Sequence, residues 1–221
     1  MLGKLAEFYS AGGIWMHPIV FCSVIAFSII IERIVALFFR YNINGAHFMA
    51  QIQKLVLANN IDRAIKLCNA APKAALPRVV KAALTRANKG EVEISNALEE
   101  AMLEVLPEIT KRTPALQNLA NLSTLLGLLG TIVGLIEAFS AVALAPPDMK
   151  SQLLTQSLAI GLNATALGLI VAIPSLGFFI YLQGATKKII DELDQYSLKI
   201  QNLLVARGKG TQSPLDRSAA G

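Results

Sequence analysis

Three apolar runs, at 19–39, 116–145 and 153–183, constrain this chain more than any other feature. Each can cross a bilayer core of about 30 Å, which takes roughly 20 helical residues. Lipid offers the backbone no hydrogen-bond partner, so each run must close its own bonds as a helix. The predicted fold class is all-α, an integral membrane protein with three transmembrane helices. Composition agrees: 54% of residues are hydrophobic and 16% charged, too little charge to cover a soluble protein of this size. A signal-peptide reading of the first run fails, because Lys4 is distant from the apolar core and no small-residue cleavage site follows Phe39. A retained span is expected.

The net charge of +5 is explained by where the charge lies, without nucleic acid. Of the 20 Lys and Arg, Lys4 precedes the first span and Lys150 lies between the second and third. All others fall at the end of span one (Arg33, Arg40), in the region to 115, or after 186. Basic residues stay on the cytoplasmic side, which predicts the N-terminus outside and the C-terminus inside. Cys22 lies in the first span and Cys68 in the polar region; both read as packing residues, with no disulfide or metal site.

These signals divide the chain into an interfacial segment at 1–17 and a first transmembrane helix at 18–40. A cytoplasmic helical region at 41–115 and a second transmembrane helix at 116–145 follow. An external loop at 146–152 leads to a third transmembrane helix at 153–183, a cytoplasmic helix at 184–206 and a disordered tail at 207–221. Phe8, Tyr9 and Trp15 suit headgroup depth, and Gly12-Gly13 breaks the chain before Pro18. The adjacent Glu32 and Arg33 can snorkel to the interface or pair. In the polar region helices are expected at 44–58, 62–69, 76–87 and 91–109. The last carries Ile94, Leu98, Met102, Val105 and Ile109 on one face. A second stripe, Ile189, Leu193, Tyr196, Ile200 and Leu203, implies that the long helices two and three extend into a cytoplasmic helical bundle.

Spans two and three differ in kind from the oily first span. They hold Gly127, Gly130, Gly134, Gly161 and Gly168, and such residues let helix backbones approach closely in a multi-helix assembly. Thr124 and Thr131 share a face of span two, seven residues apart; Thr165 sits on span three between Leu158 and Ala172 at the same interval. Each helix thus sets a hydroxyl near mid-membrane on a small, apolar face. A hydroxyl there can bond its own i−4 carbonyl or serve a polar path.

Glu137 is the carboxylate within span two, about 120° round the helix from Thr131, which suits a rim or intersubunit role. Asn163 points nearly opposite to Thr165 and suits a helix-to-helix hydrogen bond. Apart from Glu137, spans two and three hold no Asp, Glu or His. A proton relay needs a titratable group in its path, so another polypeptide would have to supply one. No nucleophile, base or metal cluster suggests an enzyme, no cofactor is expected, and no inverted repeat suggests a conventional transporter.

The stretch Leu125-Leu126-Gly127-Leu128-Leu129-Gly130-Thr131-Ile132-Val133-Gly134-Leu135-Ile136-Glu137-Ala138-Phe139 resembles a signature of the MotA/TolQ/ExbB proton-channel family. Ala164-Thr165-Ala166-Leu167-Gly168-Leu169-Ile170-Val171-Ala172-Ile173-Pro174 resembles its second. Gly12-Gly13, Pro18 and Glu32-Arg33 also fit, and the likeness covers roughly 1–205. Three spans and short length resemble the ExbB/TolQ branch.

The resemblance implies a homopentamer in the bacterial inner membrane, around a dimer of a single-span ExbD/TolR-like partner whose Asp carries the proton. It places Thr131 and Thr165 in the pore, and proton flow would turn the partner within the ring. Further partners would be a TonB/TolA-like or motility-complex protein, according to whether the motor energises uptake, envelope maintenance or motility. Two positions depart from the pattern. Ile160 stands where many relatives carry Glu, and Thr124 replaces a Pro, adding a hydroxyl that would extend the polar path toward the cytoplasm. A non-conducting scaffold subunit is the alternative that Ile160 favours.

Overall fold

The computed structural model describes residues 12–37 and 43–211, with side chains as far as 208. Every regular element among them is a helix: α1 Met16–Val35, α2 Gly45–Leu57, α3 Ile61–Asn69, α4 Ala75–Thr85, α5 Glu91–Thr110, α6 Thr113–Leu144 and α7 Lys150–Thr211. Among the described residues three helices are long and apolar enough to cross a membrane: α1, the one ending at Leu144 and the one starting at Lys150. The expected aromatic anchors Phe8 and Tyr9, the end of span one at 38–40 and the tail at 212–221 lie outside the described residues. The chain forms two units, residues 1–33 with 112–182, and 34–111 with 183–221. α7 contributes to both without a break at 184, and it continues past 206 to Thr211.

The first unit is built on close backbone contact. α6 buries Leu116, Ala120, Ser123, Gly127, Gly130, Gly134 and Ala138, spaced three or four apart on one face. α7 answers with Gly161, Ala164, Gly168, Ala172 and Ser175. A methyl built on Gly127 would lie 3.0 Å from the Thr165 Cα, and one on Gly168 2.6 Å from the Ser123 carbonyl oxygen. These glycines are therefore the contact itself, since no side chain fits between the backbones.

α1 buries Met16, Ile19, Cys22, Ala26, Ile30 and Arg33 and leaves Phe21, Val24, Phe27 and Ile31 exposed, as a lipid-contacting helix would. Its entry turns at Gly13, whose φ of +69° suits a residue without Cβ. At its other end Glu32 does not pair with its neighbour. Glu32 pairs with Arg112 at the start of α6, while Arg33 is fully buried. Adjacent helical residues diverge by ~100°, so the two charges cannot share one partner surface.

The second unit packs α2 on α3, α3 on α4 and α4 on α5. Asn44 caps α2 by accepting the His47 backbone N–H at 3.1 Å. The turns between helices use left-handed backbone at Asn59 (φ 60°) and Gly90 (φ 98°). The α5 stripe is buried at Ile94, Leu98, Val105 and Ile109, with Met102 half-buried and accepting the Ser197 hydroxyl at 3.9 Å. In this unit α7 buries Thr186, Leu193, Ser197, Ile200 and Leu204; of the expected stripe Leu193 and Ile200 are buried, and Ile189, Tyr196 and Leu203 are half-buried. Arg78 forks to Glu104 and Glu108 at 2.8 and 2.9 Å, and Arg86 to Glu93 and Glu100 at 3.2 and 3.3 Å. Burial acts to lower the Arg78 pKa, but its bonds to the two carboxylates prevail and hold it above its usual value.

Candidate functional site

Where α6 meets α7, the glycine contacts bring two hydroxyls together. Thr131 Oγ1 and Thr165 Oγ1 are hydrogen-bonded to one another, from positions 34 apart in the chain. Thr165 donates to the Gly127 carbonyl at 2.7 Å, and Thr131 lies 3.3 Å from both the Gly127 and Gly161 carbonyl oxygens. Gly127 precedes Thr131 by four residues, and Gly161 precedes Thr165 by four. Each hydroxyl thus reaches the carbonyl that the opposite threonine would use for local back-bonding. The exchange is possible because a side chain at 127 or 161 would push the helices apart.

Each hydroxyl has one proton and two lone pairs. With Thr165 donating to Gly127, Thr131 gives its proton either to Thr165 or to a carbonyl. Both side chains are half-buried. The site is therefore a small oxygen-lined notch on an apolar helix pair, with donors, acceptors and no charge of its own. Among the described residues no three His, Cys, Asp or Glu come together as metal ligands.

The other sequence candidates lie apart from this notch. Thr124 is exposed, and its hydroxyl donates to the Ala120 carbonyl of its own helix at 3.1 Å. Glu137 is exposed, and Asn163 is half-buried. Ile160 lies against the entry turn of α1, its Cγ2 3.2 Å from a methyl built on Gly13. Sequence reasoning missed the carbonyls of Gly127 and Gly161, although the Gly–Thr spacing of four on both spans was the available signal. Nor did it foresee the contact of Trp15 with α6. A methyl built on Gly130 would lie 3.4 Å from Trp15 Cβ and 2.7 Å from Ala164 Cβ. Trp15 therefore stands level with the threonine pair, so headgroup depth for Trp15 and mid-membrane depth for the threonines are not independent expectations.

The profile of the MotA/TolQ/ExbB proton channel family matches residues 71–195, which include all of α6 and α7 as far as residue 195. ExbB-like 3, a Synechocystis sp. protein named for biopolymer transport, is 31% identical over 182 residues, 76% of this chain and 80% of that protein. The biopolymer transport protein ExbB of Aquifex aeolicus is 34% identical over 100 residues, 45% of this chain and 66% of its own length. The biopolymer transport protein exbB1 of Vibrio cholerae is 42% identical over 55 residues, covering 25% and 24% of the two chains. A multi-pass helical chain with the two glycine–threonine spans in contact, matched by that profile over more than half its length, belongs to the MotA/TolQ/ExbB proton channel family, on its ExbB-like side.

Proposed function

We propose that this chain is the ring-forming subunit of a proton-driven motor in the bacterial inner membrane, with its N-terminus outside and its C-terminus in the cytoplasm. Five copies surround a dimer of a single-span ExbD/TolR-like partner. The observation that carries the reading is the hydroxyl pair of Thr131 and Thr165, set side by side on the Gly127 carbonyl. A neutral donor–acceptor notch cannot hold a proton at rest, so the titrating carboxylate comes from the partner helix. The threonines then orient that carboxylate, or a water bound to it, in each step of the cycle. Thr124 continues the polar path toward the cytoplasm, and Glu137 and Asn163 lie at the rim or between subunits. One proton crossing 100 mV supplies ~2.3 kcal/mol, enough for a few protons to turn a partner dimer. The output is passed to a TonB/TolA-like or motility-complex protein.

The non-conducting scaffold is a second reading, favoured by Ile160 in place of a carboxylate. Proton uptake into proteoliposomes, with and without a single-span partner, separates the two. The channel reading expects flux only when the partner is present, lost in Thr131→Val and Thr165→Val while the ring still assembles. Full flux in both variants would remove the threonines from the path. An intact complex that never conducts would favour the scaffold.

A further inference from the structure

The α6–α7 hairpin presents opposite chemistries on its two outer faces at the same level. Contacts fix the level: a methyl on Gly161 would lie 3.0 Å from the Thr131 Cα, and one on Gly134 3.2 Å from the Ser157 carbonyl oxygen. On α6 at this height Ile132, Ile136 and Phe139 are exposed. At ~100° per residue they lie about 140–160° from the Gly134 contact, facing away from α7. On α7, Gln152, Gln156 and Asn163 lie within about 40° of one another and directly opposite the Gly161 contact. Gln152 and Gln156 are exposed and Asn163 is half-buried.

This polar face has a sharp end. Seven residues below Asn163 on the same line stands Ile170, exposed by 60%, and seven further Gly177. The change occurs beside the level of Gly130, against which both Trp15 and Ala164 lie, where α1 begins. The hairpin does not simply stand clear of the bilayer at this height, because Ile132, Ile136 and Phe139 would then face water. Nor can both faces meet lipid. A serine or threonine can satisfy its hydroxyl on its own helix, as Thr155 does with the Ser151 carbonyl at 2.9 Å. The carboxamides of Gln and Asn keep unused donors and acceptors in hydrocarbon.

We infer that the α7 face bearing Gln152, Gln156 and Asn163 borders water within the membrane, an aqueous vestibule that enters from the α6–α7 connection and ends between Asn163 and Ile170. The α6 face bearing Ile132, Ile136 and Phe139 is the hydrocarbon side. Under the channel reading, on which this role rests, the vestibule delivers protons to the level of Thr165, and Asn163 is its last polar group.

The test is a cysteine scan of the full chain in membrane vesicles, with Cys22→Ala and Cys68→Ala removing the native thiols. Single cysteines at 152, 156, 163, 170 and 173 are treated with a membrane-impermeant maleimide from either side. The thiolate is the reacting species, so labelling reads water access, and 152, 156 and 163 should react roughly tenfold or more faster than 170 and 173. Labelling from the α6–α7 side alone is expected. A cysteine at 163 as slow as one at 170, or one at 170 as fast as one at 156, would overturn the vestibule. Full labelling after detergent denaturation checks that each variant is present. Proton flux is read separately: the labelling pattern without flux defeats the channel reading alone, and flux without the pattern defeats the vestibule alone.

Discussion

Thr165 gives its hydroxyl proton to the carbonyl of Gly127, 2.7 Å away on the neighbouring helix, where Thr131 lies 3.3 Å off. One carbonyl therefore serves both threonines. Thr165→Val keeps the branched shape and removes that donor. The loss should cost about 0.5–1.5 kcal/mol of stability, leaving the protein folded. Proton flux should nonetheless disappear, whereas Thr165→Ser should retain most of it. Flux assays beside thermal melts in detergent check both halves; a valine variant that conducts at the original rate places the path elsewhere.

Arg112 precedes α6 with φ 65°, a left-handed conformation costing a non-glycine residue about 1–2 kcal/mol. Its side chain binds Glu32, but both groups are roughly half-exposed, so the pair contributes about 0–1 kcal/mol. The two terms nearly cancel in Arg112→Gly, which should melt within a few degrees of the parent. Arg112→Ala keeps the strained backbone and loses the pair, so it should be the less stable of the two. A glycine variant melting below the alanine one would show that the left-handed backbone at 112 carries no such cost.

Much of this architecture was legible because lipid permits so few answers. Three apolar runs can only be helices, and the spacing of Gly127, Gly134, Gly161 and Gly168 marks their contact surface. Thr131 and Thr165 could be selected from their spacing on those surfaces. Their mutual bond could not, because the pairing depends on which residue of α7 stands opposite Gly127, and small-residue stripes admit several registers. The partner of Glu32 was hidden for a related reason: local sequence offered snorkelling or a pair with Arg33, while Arg112 is 80 residues away. The level of Trp15 also depends on a tertiary contact with Gly130 that no local pattern encodes.

Cys68 is buried in the second unit, and burial pushes its thiol up from 9.0 to about 11. Between those values the unfolded chain gives up a proton that the folded chain keeps. Stability should therefore fall as pH rises through that window, by at most about 3 kcal/mol, with no contribution below it. Cys68→Ala should lose this alkaline slope while costing about 1 kcal/mol for the missing sulfur. Denaturant melts from pH 8 to 11 on both proteins measure the difference. Equal slopes would mean that Cys68 titrates normally.

Gly168 and Gly177 lie on the same helix and are opposed in what surrounds them. A methyl at Gly168 meets the Ser123 carbonyl oxygen at 2.6 Å and the Gly127 Cα at 3.2 Å, both backbone atoms that can yield only if α6 moves. Gly168→Ala should destabilise the chain by about 1–3 kcal/mol and separate Thr131 from Thr165, lowering flux as well as the melting temperature. At Gly177 nothing lies within 4 Å of the same methyl. Alanine there gains helix propensity worth up to about 1 kcal/mol and should leave the isolated subunit as stable or more so. A glycine kept in an open helical position still lets a second helix approach closely. Gly177→Leu should accordingly spare the monomer and weaken assembly, read by native mass spectrometry of the complex. If leucine at 177 assembles as well as glycine, no helix packs there, and the surface below Ile170 faces lipid alone.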